Sequence, residues 1–112
     1  MKDYNYRESV KDGPAISYSS KDYGKTEEGN YKEGEKDGVW IAYHPGGKFP
    51  AVISTYKKGQ LDGMMKTADR RGNLLQEIEY KDGKKHGVFR VYDAKGKVIL
   101  NKRFEDGIEV PN

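Results

Sequence analysis

The chain has 112 residues, enough for one domain and too few for two. It has no cysteine, which excludes disulfides and thiolate metal sites and accords with a reducing compartment. Charged residues make up 35% and apolar residues 34%, too little apolar material for a thick two-layer core; yet nine Tyr, three Phe and one Trp separate it from disordered chains, which are aromatic-poor. The expectation is a thin folded domain held by aromatics, with a net charge of +3 that reads as an ordinary solvated surface.

The opening stretch, MKDYNYRESV, has no apolar run of signal-peptide length, and no segment approaches the ~20 apolar residues of a membrane span. The chain therefore reads as soluble, unexported and cytoplasmic. A weak repeat unit spans 6–30. Tyr6 opens it and lies 25 residues before Tyr31, while Gly13 and Tyr18 fall seven and twelve residues after Tyr6. Ser9 stands where a first glycine is expected and Gly24 arrives two residues late, as in a degenerate capping repeat.

Three clear units follow, at 31–55, 56–79 and 80–103, with a partial one at 104–112. Tyr31, Tyr56, Tyr80 and Phe104 open them, at spacings of 25, 24 and 24 residues. Gly34, Gly59, Gly83 and Gly107 come three residues after the opening aromatic, and Gly38, Gly63 and Gly87 seven after it. Trp40, Met65 and Phe89 come nine after, Tyr43, Ala68 and Tyr92 twelve after, and Gly47, Gly72 and Gly96 sixteen after. In each unit a run rich in β-formers, such as GVWIAYH, meets a turn signal such as PGGK, and then an alternating run such as NLLQEIEY. This predicts strands near 38–44, 49–56, 64–69, 74–80, 88–93 and 97–104, in an antiparallel meander of about seven or eight strands. The fold class is all-β, one repeat domain over 1–112. Trp40 and Phe89 share an offset and should be largely buried. Trp40 and Tyr43 are three residues apart, so either both faces carry an aromatic row or a bulge turns one of them.

The pattern Tyr-x-x-Gly-x-x-x-Gly-x-aromatic-x-x-Tyr-x-x-x-Gly resembles the MORN-repeat variant of bacterial proteins of the YwqK-type antitoxin family. The match is carried by Tyr31, Gly34, Gly38, Trp40, Tyr43 and Gly47, and by Tyr80, Gly83, Gly87, Phe89, Tyr92 and Gly96. The middle unit matches at Tyr56, Gly59, Gly63 and Gly72 and departs at Met65 and Ala68. The resemblance implies a single-layer, open, twisted sheet of MORN-like β-hairpins. It also implies an antitoxin or immunity protein that binds a cognate protein toxin encoded by a neighbouring gene and blocks it sterically. The alternative is a non-catalytic MORN-like scaffold for protein–protein or lipid-surface binding.

No catalytic, cofactor-binding or metal-binding residues are assigned, and the chain reads as no enzyme. His86 falls at the offset of Asp37 and Asp62, and His44 at that of Asp69 and Asp93, so both histidines read as turn residues. The glycines never open a helix as a phosphate loop requires. The basic pairs Lys57 and Lys58, Arg70 and Arg71, and Lys84 and Lys85 lie in turns with acids between them, as solvated turns do, so neither nucleic acid nor membrane is expected as a partner. The basic pI of about 8.9 argues against inhibition of a toxin by imitation of nucleic acid. Positions that vary between units and point outward are where one partner would be read. Offset ten gives Ile41, Lys66 and Arg90. With Tyr43 and Tyr92 these are the candidate partner-binding residues, beside a dent at Ala68; the competing reading is that the two tyrosines stack with cross-strand neighbours. The free protein is expected to be a monomer, its edges guarded by charges such as Lys102, Arg103 and Glu105.

Overall fold

The structure, a computed structural model, describes residues 2–7 and 10–111, with side chains from residue 11 onward. Twelve strands follow one another: β1 Lys2–Arg7, β2 Val10–Tyr18, β3 Lys25–Lys32, β4 Glu35–Lys36, β5 Gly38–Tyr43, β6 Pro50–Lys57, β7 Gln60–Leu61, β8 Gly63–Ala68, β9 Leu74–Lys81, β10 Lys84–Tyr92, β11 Val98–Glu105 and β12 Ile108–Val110. All pairings are antiparallel in one open sheet of order β1-β2-β3-β5-β6-β8-β9-β10-β11-β12, with β4 on β3 and β7 on β6. Among the described residues no second layer covers either face. The principal extents are 47 × 30 × 14 Å, and the radius of gyration of 15.8 Å exceeds the ~13 Å of a compact domain of this length. The all-β, single-layer, open meander expected from the sequence is the fold.

The six expected strands lie within a few residues of β5, β6, β8, β9, β10 and β11. The strand count does not hold at seven or eight. The N-terminal region adds β1 and β2, residues 108–110 add β12, and breaks at Asp37 and Asp62, each just before a left-handed glycine, separate β4 from β5 and β7 from β8, whereas β10 runs unbroken past Gly87. The described part of the 6–30 region pairs as sheet despite its poor match to the pattern, with the register shifting between Tyr4 and Tyr6 and between Ser17 and Tyr18; Glu8 and Ser9 lie outside the described residues.

The glycines do two separate jobs. At the hairpin tips Asp82 (φ 50°) and Gly83 (φ 82°) form the two left-handed positions of a type I′ turn, whose twist suits the flanking strands. Glu33 with Gly34, Lys58 with Gly59 and Asp106 with Gly107 repeat it. Each of these tips is also tied to the preceding unit. The N–H groups of Gly34, Gly59, Gly83 and Gly107 donate to the carbonyls of Lys11, Lys36, Leu61 and Lys85 at 2.8, 3.0, 2.8 and 2.8 Å. The second job is a bulge: Gly87 has φ 104° where the β9–β10 register shifts between Lys85 and Phe89. This bulge places Gly87 opposite Phe104, as Gly38 and Gly63 lie opposite Tyr56 and Tyr80.

The core is a single row of cross-strand neighbours on one face. Ala15 faces Gly29, Trp40 faces Ser54, Met65 faces Ile78, and Phe89 faces both Ile78 and Lys102. The row interleaves large and small side chains. Every buried apolar residue among those described, Ala15, Trp40 and Ile78, lies on it, as does buried Ser54. Tyr31 meets Trp40 edge-on at 5.0 Å between ring centres. Lysines at a constant place in the repeat roof these rings. Lys11 lies 4.9 Å from the centre of Tyr31, Lys36 lies 4.5 and 5.2 Å from Trp40 and Tyr56, and Lys85 lies 5.4 and 5.2 Å from Phe89 and Phe104. The expectation for Trp40 holds, at 4% exposure, but Phe89 is only half-buried. Trp40 has two full strands on either side, whereas Phe89 lies one strand from β11, where the ladder is reduced to the three residues of β12.

Candidate functional site

The opposite face carries a second row. Ile16 faces Glu28, Glu28 faces Ile41, Ile41 faces Ile53, Ile53 faces Lys66, Lys66 faces Glu77, Glu77 faces Arg90, and Arg90 faces Asn101. Directly opposed residues in antiparallel strands share a face, so this row crosses the sheet from β2 to β11. It holds three of the five candidate residues: Ile41 and Arg90, half-buried, and Lys66, exposed.

The other two candidates join the row through their hydroxyls. The Tyr43 hydroxyl donates to Glu28, and the Tyr92 hydroxyl donates to Glu77 at 2.5 Å. Trp40 thus belongs to the core face and Tyr43 to this one, and both faces carry aromatics. The register shifts between Ala42 and Tyr43 and between Val91 and Tyr92 leave both tyrosines on the face of their row. Arg90 Nη1 completes the second cluster at 3.1 Å from Glu77 Oε1, and Lys25 Nζ lies 3.3 Å from Glu28 Oε2 in the first.

The two clusters are electrostatically alike. The Tyr43 hydrogen bond, offset by burial and helped by Lys25, holds the Glu28 carboxyl below its usual range. The Tyr92 hydrogen bond, against burial and with Arg90 and Lys66, does the same for Glu77. Burial, then the Glu28 carboxylate, pushes Tyr43 up to about 12; the hydrogen bond to Glu77 raises Tyr92 as well. Both carboxylates are therefore anions, and both tyrosines neutral donors, over the whole ordinary pH range. The face presents alternating fixed charges, Glu28, Lys66, Glu77 and Arg90, around an apolar centre of Ile41 and Ile53.

Glu28, Ile53 and Glu77 are among the residues of this row that sequence reasoning missed. The signal was there: each stands three residues before an opening aromatic, at one constant place in the repeat. In the middle unit Ile53 takes the place of the carboxylate and Ala68 that of the tyrosine, so the cluster is missing at the centre of the face. His44 Nε2 donates to the Ala68 carbonyl at 2.8 Å. Beyond Tyr43 the sheet end holds a depression of 330 Å³, bounded by Lys21, Asp22, Lys25, His44 and Pro45.

The histidines are placed by turns. The His44 N–H donates to the Phe49 carbonyl, as those of Asp69 and Asp93 donate to Asn73 and Lys97, and His86 Nδ1 accepts the Asp106 N–H at 3.4 Å. The latter repeats what the Asp12 and Asp62 carboxylates do for Glu33 and Asp82. Among the described residues no three His, Asp or Glu side chains are grouped as metal ligands, and no helix is long and apolar enough to cross a membrane. No protein-family model matches this chain, and no curated protein matches it.

Proposed function

We propose that this protein is a non-catalytic binding protein that docks the Ile41–Lys66–Arg90 face of its sheet onto a folded protein. From the MORN-like pattern, we propose further that the partner is a toxin encoded by a neighbouring gene, neutralised by steric cover in the cytoplasm. The observation that carries this reading is the row itself. The positions that differ from unit to unit, Ile41, Lys66 and Arg90, line up across one face that no second layer covers among the described residues, while the repeated glycines are used in turns and bulges. The 47 × 30 Å outline of the sheet offers more than the roughly 800 Å² that each side of a standard interface requires. Tyr and Arg, the usual interface anchors, stand at Tyr43, Arg90 and Tyr92.

Co-expression with the neighbouring gene product, followed by pull-down and a growth-protection assay, tests the proposal. Lys66→Glu is the most direct variant, because Lys66 is exposed; it also sets a second carboxylate opposite Glu77, so the melting midpoint should fall slightly. Binding should weaken at least tenfold at a temperature where the melting curve shows the variant folded. The triple truncation of Tyr43, Arg90 and Tyr92 should abolish it, at some cost in stability because Glu28 and Glu77 lose their partners. If Lys66→Glu binds and protects like the parent, the face is wrong. If no neighbouring product binds the parent, the immunity reading gives way to a general scaffold.

A further inference from the structure

We propose that the paired loops at 19–24 and 44–49 form a docking site for an acidic segment of a protein partner, whose carboxylates meet Lys21 and Lys48 and whose apolar side chains meet Tyr23 and Phe49. The site adjoins the docking face at Tyr43 and rests on that reading for its assignment to a protein. The β2–β3, β5–β6, β8–β9 and β10–β11 loops all lie at one end of the sheet. One backbone bond closes each of them, and its span measures the loop. The Ser19 N–H donates to the Gly24 carbonyl and that of His44 to Phe49, six residues each, whereas Asp69 donates to Asn73 and Asp93 to Lys97, five residues each. This one extra residue is the whole difference between the 25- and 24-residue units. The short loops close on themselves: Asp69 Oδ1 accepts the N–H groups of Arg71 and Asn73, and Asp93 Oδ1 those of Lys95 and Lys97. Ser19 and His44 stand in place of these aspartates, and the two long loops pack on each other. A methyl on Gly24 would lie 2.4 Å from the Gly46 carbonyl oxygen, and one on Gly47 2.4 Å from the Lys25 nitrogen, so the two backbones touch. Together the loops wall the 330 Å³ depression.

Tyr23 and Phe49, 77% and 41% exposed, are the only exposed aromatic side chains among the described residues, and each long loop holds one. Among the described residues Tyr23 is also the one non-glycine residue with left-handed backbone (φ 61°) outside the hairpin-tip turns. Glycine or asparagine would sit there at less cost, so neither burial nor backbone geometry accounts for a tyrosine. A contact outside the chain does, as strained residues at binding sites do elsewhere. Charge selects the occupant. The loops hold Lys21 and Lys48, both exposed, against one acid, Asp22, whose Oδ1 accepts the Gly24 N–H at 2.9 Å. Lys25 and His44 add nitrogens to the wall of the depression. Aromatic anchors beside complementary charge are the means by which protein interfaces hold and select a partner. A nucleic-acid strand would stack on the aromatics but would carry its phosphates past Asp22 and Glu28. The adjoining face, apolar at Ile41 and Ile53, suits a protein.

The test titrates two end-blocked hexapeptides into the isotopically labelled protein: Asp-Leu-Glu-Asp-Leu-Glu, and its counterpart with lysine at every acidic position. The acidic peptide should bind saturably and shift the amides of 19–26 and 43–49, and the lysine peptide should not bind. The double variant Lys21→Glu, Lys48→Glu should lose at least tenfold in affinity for the acidic peptide and gain the lysine one. Tyr23→Gly separates recognition from structure. Replacing a left-handed tyrosine by glycine should hold or raise the melting midpoint, and should still weaken the acidic peptide at least threefold. Absence of saturable binding at about 1 mM acidic peptide, equal binding of both peptides, or shifts confined to the Ile41–Arg90 face would overturn the proposal. So would a Tyr23→Gly variant that binds like the parent or melts below it, or a dT hexamer that binds these loops more tightly than the acidic peptide. The peptides need no toxin, so their failure leaves the docking-face reading standing. A failed pull-down with the loop shifts intact removes only the link to that face.

Discussion

A methyl group placed on Gly29 would lie 2.1 Å from Cδ2 of Trp40, inside the ring's contact surface. The Trp40 indole rests on the bare backbone of β3, and its Nε1 donates to the Asn30 carbonyl at 3.0 Å. Gly29→Ala should therefore destabilise by about 1–3 kcal/mol through overpacking, and Trp40→Ala by about 3–5 kcal/mol through the cavity. Lys84→Ala, exposed at the start of β10, should stay within about 0.5 kcal/mol, and denaturant melts rank the three. On the other face the tyrosine–carboxylate clusters set a pH window. Glu28 and Glu77 titrate lower when folded than the ordinary 4.5, so their contribution is complete above that value and is lost as pH falls through the depressed range. Tyr43 titrates near 12 instead of 10, so its contribution is complete below pH 10 and is lost as pH rises from 10 towards 12. The thermal midpoint should hold a plateau between these limits. Tyr43→Phe should remove much of the alkaline decline, and Tyr92→Phe should raise the Glu77 titration followed by carboxyl NMR; an unmoved Glu77 would show that the hydrogen bond does not govern it. Trp40 was legible as a core residue from its β-forming run and repeat offset. Gly29 was not, because its role depends on which residue the register sets opposite it.

At the scale of elements, the turns and bulges separate two costs of replacing a glycine. Gly83 has φ 82° with only Gln60 side-chain atoms near an added methyl, at 3.9 Å, so Gly83→Ala should cost about 1–2 kcal/mol from backbone conformation alone. Gly87 has φ 104°, and a methyl there would meet the Glu79 carboxylate at 2.1 Å, so Gly87→Ala carries the same conformational cost and must also displace a carboxylate that accepts the Val88 N–H at 3.4 Å. A D-alanine at each site, made by chemical ligation, discriminates between the causes. It should restore most of the stability at position 83, where the backbone alone is at fault. Equal losses for the two L-alanine variants would mean that the bulge is not anchored by Glu79. These positions also explain what was legible. A left-handed residue at a hairpin tip leaves a glycine at a fixed interval, so the hairpins could be placed from the spacing. The bulge glycine leaves the same letter in the sequence, and nothing local says that a strand breaks just before it, which is why β4 and β7 were not foreseen. The same bulges decide which offsets share a face, and the pairing of Glu28 with Tyr43 and of Glu77 with Tyr92 depends on them.

For the whole molecule, the absence of a second layer over the described residues makes the sheet quasi-one-dimensional. The strongly contacting strands are all neighbours in the sheet, so each unit is stabilised by its own hairpin and by the units beside it. Stability should then vary along the array instead of being shared by one globular core. The centre has strands on both sides and holds the buried residues Trp40, Ser54, Glu77 and Ile78. The C-terminal end has Phe89 and Phe104 tilted against each other at 6.2 Å under Lys85, and only the short β12 beyond. Native-state hydrogen exchange should therefore be slowest in β6, β8 and β9 and faster in β11 and β12, with the protection falling off strand by strand. Phe104→Ala removes the ring that joins the last hairpin to Lys85 and Phe89. It should speed exchange in β11 and β12 and leave β5, β6 and β8 unchanged, because no strand of the centre contacts Phe104 across a second layer. A single exchange rate limit across all strands, or an equal acceleration in β6 and β11 on substitution of Phe104, would show that the sheet unfolds as one cooperative body and that the ladder of unit-to-unit bonds couples its ends more tightly than nearest-neighbour packing can.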